Sequence, residues 1–235
     1  ARPKASVTDA AKALYVAKFP SRKDDYDVGL WEHLVHLLAA EAGICTALTK
    51  LISTGEGHHT LLSRRFDRTQ EGRRIHFASA MTLLGLTDGD DAATGYGYLD
   101  IVDFILRGCT DVDANLRELY RRVAYSICIG NSDDHFRNHG FLLTPKGWTL
   151  SPAYDMNPTL NDHQSLLIST ASNKSDLGIL LDACEDYMLD AHEARRIITE
   201  VVNVTREWRR LAVRLGASKR EVDMFGGVFE REWKY

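Results

Sequence analysis

The sequence lacks most of the features that would settle a function at sight. Its four cysteines, Cys45, Cys109, Cys128 and Cys184, stand far apart and form no C-x-x-C pair. That spacing argues against a zinc ribbon or a dithiol redox motif, and predicts small buried hydrophobes in a reducing compartment. No apolar run approaches the length of a bilayer span, and no signal-peptide pattern leads the sequence, so a cytoplasmic protein with no membrane partner is expected. Charge of one sign is also missing. The 29 Lys and Arg against 33 Asp and Glu leave a net charge of -4, so nothing draws the whole chain toward nucleic acid or anionic lipid. Any such contact has to come from a local patch or a partner. There is no G-x-S-x-G elbow, no internal repeat and no low-complexity segment.

What is present is ordinary for a globular chain, with 44% hydrophobic and 26% charged residues over 235 positions, enough for one large domain or two lobes. The opening ARPKAS reads as a polar loop that suggests preceding residues, and it feeds a β-prone run, Leu14 to Phe19, which Pro20 stops. From Asp27 to Gly43 apolar residues recur at three and four, predicting an amphipathic helix closed by glycine. Residues 60–66 read as another strand, and DRTQEGRR after it as a solvated polar turn. Beyond it helices are predicted over 77–85, 98–107, 113–129, 176–187, 190–214 and 219–232. Capping-box patterns at Thr110, Asp190 and Ser218 support three of these starts. The one interruption is a hairpin signal, Phe141-Leu-Leu and Trp148-Thr-Leu150 around Thr144-Pro-Lys-Gly147.

The stretch GNSDDHFRNHG, residues 130–140, packs two aspartates, two histidines, an arginine and two asparagines between apolar segments. His135 and His139 stand four apart, but Phe136 replaces the glutamate of H-E-x-x-H and the glycines mark a loop, so a zinc site is disfavoured. Phosphoryl transfer uses the residues better. Asp133 and Asn138 have the D-x-x-x-x-N spacing of a kinase catalytic loop, in which the Asp handles the acceptor hydroxyl and the Asn holds Mg²⁺. Asp155 follows the hairpin, where a kinase places its second Mg²⁺ ligand. Lys18 ends a strand ahead of a helix, the setting of a phosphate-binding lysine. Glu32 and Glu41 on that helix both compete to pair with it. Each signal alone has a bland reading: Asp133, Asp134 and Asp155 as turn residues, His135 as a turn histidine, Lys18 as a solvated lysine. In the order Lys, Asp, Asn, Asp they reinforce one another.

Taken together, KFPSR with DDYDVGLWE, LLSRRFDR, GNSDDHFRNHGFLL and WTLSPAYDMNPT resemble, in order, the motifs of the HipA-like serine/threonine kinases of bacterial toxin–antitoxin modules. The resemblance implies an α+β, two-lobed protein-kinase-like fold, with a partial α/β N-lobe over 1–67 and a mainly α-helical C-lobe over 68–235. It implies Lys18 and, less directly, Lys4 against ATP phosphates, and Arg64 and Phe66 at the adenine linker. It further implies Asp133 as catalytic base, Asn138 and Asp155 as Mg²⁺ ligands, and His135 near the nucleotide. ARPKAS resembles the end of the family's glycine-rich loop, whose glycines are absent here. The implied activity is ATP- and Mg-dependent phosphorylation of a protein serine or threonine. Implied partners are a DNA-binding antitoxin, through which alone DNA is met, and a protein substrate such as an aminoacyl-tRNA synthetase. A small-molecule phosphotransferase and a degenerate kinase serving as an interaction module remain alternatives.

Overall fold

The computed structural model describes residues 2–53, 55 and 57–235. Four strands, β1 (Lys4–Thr8), β2 (Leu14–Lys18), β3 (Thr49–Ser53) and β4 (His59–Arg64), form an antiparallel sheet in the order β1-β2-β4-β3. Between β2 and β3 runs α1 (Val28–Glu41), started by Asp27, whose carboxylate accepts from Leu30 N–H. Gly29 sets how closely this helix lies on the sheet, because a Cβ there would meet the His59 carbonyl oxygen at 2.4 Å.

The helix is buried on both sides. One face meets β3 and β4, and the other sends Trp31, fully buried, against Trp208 and Phe225. Those partners belong to the helical body: α2 (Ala80–Leu84), α3 (Tyr98–Gly108), α4 (Val112–Ile129), α5 (Leu177–Asp182), α6 (Ala191–Thr205), α7 (Trp208–Leu215) and α8 (Lys219–Phe229). At its centre α4 packs chiefly on α6. A second antiparallel sheet, β5 (His76–Ser79), β6 (Gly140–Thr144) and β7 (Gly147–Leu150), lies on this body. Among the described residues no helix is long and apolar enough to cross a membrane.

Several sequence expectations are corrected. ARPKAS is not a plain loop, since Lys4 to Thr8 pair with Lys18 to Leu14. The run 77–85 is not one helix. Its first part is β5, bonded to β6, and Ser79 then caps a single turn by accepting from Thr82 N–H. The run 190–214 is two helices broken at Arg206–Glu207, and 176–187 ends in a 3₁₀ turn at Cys184–Tyr187. Cys128 and Cys184 are buried as expected, but Cys45 is exposed and Cys109 half-buried; all four are free thiols.

Candidate active site

The end of β2, the linker after β4 and the segment after β7 enclose a cleft of about 270 Å³. Lys4, Lys18, Phe66, Phe77, Tyr154 and Asp155 line it, along with the linker arginines Arg64 and Arg65. Lys18 is the last residue of β2 and its side chain is only 10% exposed. Its Nζ lies 2.5 Å from Glu32 Oε1 and 2.5 Å from Asp155 Oδ1. Burial works against the ammonium charge, but the two carboxylates outweigh it, so the Lys18 pKa is raised and the side chain stays protonated. Burial likewise opposes the Asp155 charge, yet Lys18 and then Lys4 hold its pKa below the usual carboxylate value. Glu32, fully buried, has its pKa pushed up by that burial in spite of Lys18. Of the two glutamates competing for Lys18, the structure selects Glu32.

Asp155 adopts the left-handed backbone region at φ 57°, which a short polar side chain tolerates better than most. Lys4 Nζ stands 3.7 Å from its Oδ2. Above the cleft floor Phe66, Phe77 and Tyr154 form a cluster with centroids 5.6 to 6.1 Å apart. The sequence motifs do not mark Phe77 or Tyr154: Phe77 sits in the run that reads as helix, and Tyr154 carries no signal of its own beside Asp155.

The polar loop begins where α4 ends at Gly130, φ 65°. Only glycine fits there, because a Cβ would lie 2.7 Å from Val228 Cγ1 and 2.8 Å from the Thr159 carbonyl oxygen. The adjacent aspartates then diverge. Asp133 is exposed, whereas Asp134 is 4% exposed and turned inward. Asp134 accepts from Tyr98 Oη at 2.8 Å and Ser126 Oγ at 3.2 Å, with His139 Nε2 at 3.1 Å. Burial opposes its charge, but these neighbours, His139 foremost, hold its pKa low. Asn138 donates from Nδ2 to the Asp133 carbonyl at 3.1 Å, which leaves its amide oxygen as the available acceptor. Asn138 borders a small cavity that it shares with Tyr154.

The segment after Asp155 clasps this loop from beneath. Thr159 donates from N and Oγ1 to the Gly130 carbonyl at 3.0 and 2.7 Å, and its hydroxyl meets Ser132 Oγ at 2.6 Å. Ser165 donates from N and Oγ to the Ser132 carbonyl at 3.2 and 2.6 Å. The residues just ahead of Asp133 are thus fixed by main-chain contacts that no short motif reveals.

Lys4, Lys18, Arg64, Phe66 and Asp155 are therefore gathered on one cleft. Asp133 and His135 face another, of about 210 Å³, whose walls include Asp88, Asp90 and Asp91. His135 Nδ1 is buried there without a hydrogen-bond partner among the described residues.

Comparison with known proteins accords with this arrangement. The HipA-like C-terminal domain matches residues 1–208. A Haemophilus influenzae protein provisionally named a kinase is 29% identical over 134 residues, covering 53% of this chain and 39% of its own length. The fold superposes on Shewanella oneidensis HipA, solved with HipB and operator DNA, with a TM-score of 0.76 at 16% identity, covering 97% of this chain and 61% of that one. It also superposes on the Helicobacter pylori proinflammatory kinase CtkA with a TM-score of 0.67 at 14% identity, covering 97% of this chain and 85% of that one. This chain thus spans well under half of the curated relative and about three fifths of the HipA chain. A kinase-like α+β fold carries the cleft, and the chain belongs to the HipA-like C-terminal domain family.

Proposed function

We propose that the protein transfers the γ-phosphoryl group of ATP to a serine or threonine hydroxyl of a protein. The observation that carries this reading is Lys18 held between Glu32 and Asp155 at 2.5 Å each on the floor of the cleft. A cation fixed on a strand end can meet nucleotide phosphates without reorganising, which is how such a group stabilises developing charge. The cluster of Phe66, Phe77 and Tyr154 offers an apolar wall for a base.

By donor type the residues fit Mg²⁺. That ion takes one or two protein oxygens plus phosphates and water; the Asp155 carboxylate, on the Lys18 cleft, and the amide oxygen of Asn138, on the adjoining cavity that also touches Tyr154, are oxygens of that kind. Mg²⁺ held there would neutralise phosphate charge. Asp133, exposed and backed by the clasp, would orient the acceptor hydroxyl and take its proton. Lys4 sits where a second cation would assist Lys18. Residues 1–67 would act as the lobe that covers the nucleotide and 68–235 as the lobe that carries the loop. By analogy with the HipB complex of the Shewanella protein, a DNA-binding antitoxin would be the partner, and an aminoacyl-tRNA synthetase the kind of substrate the family resemblance implies. The setting would be the bacterial cytoplasm.

The test is Mg·ATP binding by thermal shift together with transfer from labelled ATP, for wild type and Lys18→Met. Ligand binding to the native state must raise the melting temperature. A rise in wild type that Lys18→Met loses, with transfer, is expected. No rise in wild type would sink the reading and favour a non-catalytic interaction module.

One observation favours a second reading. The cleft beside Asp133 is walled by Asp88, Asp90 and Asp91, which suits a cationic small-molecule alcohol. Asp88 is paired with Arg137, and Asp90 and Asp91 bond to their own turns, so the walls are partly neutralised or occupied. Label appearing on an amino-sugar alcohol while proteins stay unlabelled would establish that reading instead.

A further inference from the structure

Next to the linker, sharing Phe66 with the aromatic cluster, lies a cleft of about 240 Å³ lined also by Arg64, Arg65, Arg68, Leu48, Gln70 and Pro152. The stretch 64–74 carries five arginines against two acids, in a chain whose net charge is -4. The local sign therefore runs against the whole. The acids do not cancel it. Asp67 is shared by Arg65 and Arg68, at 2.5 and 2.6 Å, and Glu71 pairs with Arg73 at 3.6 Å, both well exposed. Arg64 and Arg74 make no ion pair among the described residues.

The turn that follows makes the repulsion sharper. Arg68 and Arg74 face each other across an antiparallel bridge, where like charges directly opposite are destabilising. Arg73 and Arg74 are exposed and continue the positive surface beyond the cleft. A single small anion would fill the cleft and leave those two unmet; a repeating polyanion would meet both. Guanidinium forks match phosphate in a bidentate manner.

We infer that the linker cleft and the 67–75 turn form a binding surface for a nucleic-acid phosphate backbone, contacted directly by this chain. The contact is independent of the kinase reading, since it needs neither nucleotide nor transfer. Arg64, Arg65 and Phe66 line both this cleft and the Lys18 cleft, so the two ligands would meet across one thickness of backbone.

The experiment is fluorescence anisotropy of labelled duplex DNA and of a labelled structured RNA, titrated with the protein at several salt concentrations. A dissociation constant near ~10⁻⁵ M at low salt is expected, with a log–log salt slope of about -3 for three to four phosphates met. The double variant Arg73→Gln, Arg74→Gln is expected to weaken binding by about tenfold or more and to make the slope shallower by about 2. Both residues are exposed, so its melting temperature serves as the folding check. Arg74→Lys should keep most of the slope, because it keeps the charge. The duplex and RNA arms tell which nucleic acid is the better source of the backbone, and binding of either supports the surface. Absence of binding to both, a slope unchanged in the double variant, or equal competition by poly-glutamate would overturn the inference, the last pointing to an acidic protein instead.

Discussion

The two walls of the candidate site are held by different physics. In the Lys18 cleft, order comes from charged side chains: Lys18, Glu32 and Asp155 meet although Lys18 and Asp155 lie 137 residues apart. In the polar loop, order comes from main-chain carbonyls: Gly130 and Ser132 are gripped by Thr159 and Ser165, and among the described residues the Asp133 side chain makes no hydrogen bond. The first arrangement presents fixed charge, which under the proposed function would meet phosphate. The second fixes the position of a residue while keeping its side chain unbonded, which under the same proposal would let Asp133 exchange a proton. Mutations should therefore separate along this line.

The largest contrast is between neighbours. Asp134→Ala removes the acceptor shared by Tyr98 and Ser126, and the carboxylate beside His139, in a buried site. Breaking a buried charged network of this kind costs about 3–5 kcal/mol, so thermal or denaturant unfolding should show a large loss of stability. Asp133→Ala touches an exposed side chain and should leave the melting temperature nearly unchanged. It should lower phosphoryl transfer by about 10²–10³-fold. If Asp133→Ala transfers phosphate at the wild-type rate, or if the two variants lose stability equally, the division of roles is wrong.

A smaller effect is expected from the clasp. Thr159→Val deletes the hydroxyl that serves both the Gly130 carbonyl and Ser132 Oγ and leaves buried polar atoms unmet, at about 1–3 kcal/mol. Its kinetic signature should be a fall in kcat of about tenfold with KM for ATP unchanged, because the Lys18 wall is untouched. Thr159→Ser should restore most of kcat. A rise in KM for ATP instead would mean that the two walls are not separable.

The same contrast explains what the sequence disclosed. The helix over 28–41 and the hairpin of β6 and β7 were legible, since one has apolar residues at helical spacing and the other two short runs around a Pro-Lys-Gly turn. The edge strands β1 and β3 were not, because KASVT and TKLIS expose most of their residues and show no apolar alternation. The break at Arg206–Glu207 has neither glycine nor proline to announce it. Within the site, the charged side chains could be placed in sequence order, and D-x-x-x-x-N spacing distinguished Asp133 from Asp134. Spacing could not choose Glu32 over Glu41, which needed the helix's orientation on the sheet. The clasp was invisible, since it is made of hydroxyls and carbonyls brought together only by the fold.

The subtlest prediction concerns His36, one helical turn beyond Glu32 and 2% exposed. Among the described residues neither ring nitrogen makes a well-formed hydrogen bond, and Nε2 lies 3.9 Å from Glu32 Oε1. Burial, and then the nearby Lys18 charge, lower its pKa to about 3. The folded state thus holds His36 neutral while an unfolded chain protonates it below about pH 6.5. Between those limits the unfolded state binds the extra proton, so stability must fall as pH drops from about 6.5 toward 3, by at most ~1.4 kcal/mol per pH unit from this group. His33, whose pKa burial also lowers, adds in the same direction. Asp155, with its depressed pKa, adds its own loss only below its unfolded value of 3.8. Denaturant melts of wild type and His36→Leu between pH 6.5 and 4.5 separate these contributions. The variant should show a shallower slope; what remains is His33, acting in the same direction, set against Glu32, whose raised pKa makes the folded state take up its proton first and so opposes the loss. An unchanged slope would mean that the Lys18 wall does not rest on a neutral histidine, and that its charges are held by Glu32 and Asp155 alone.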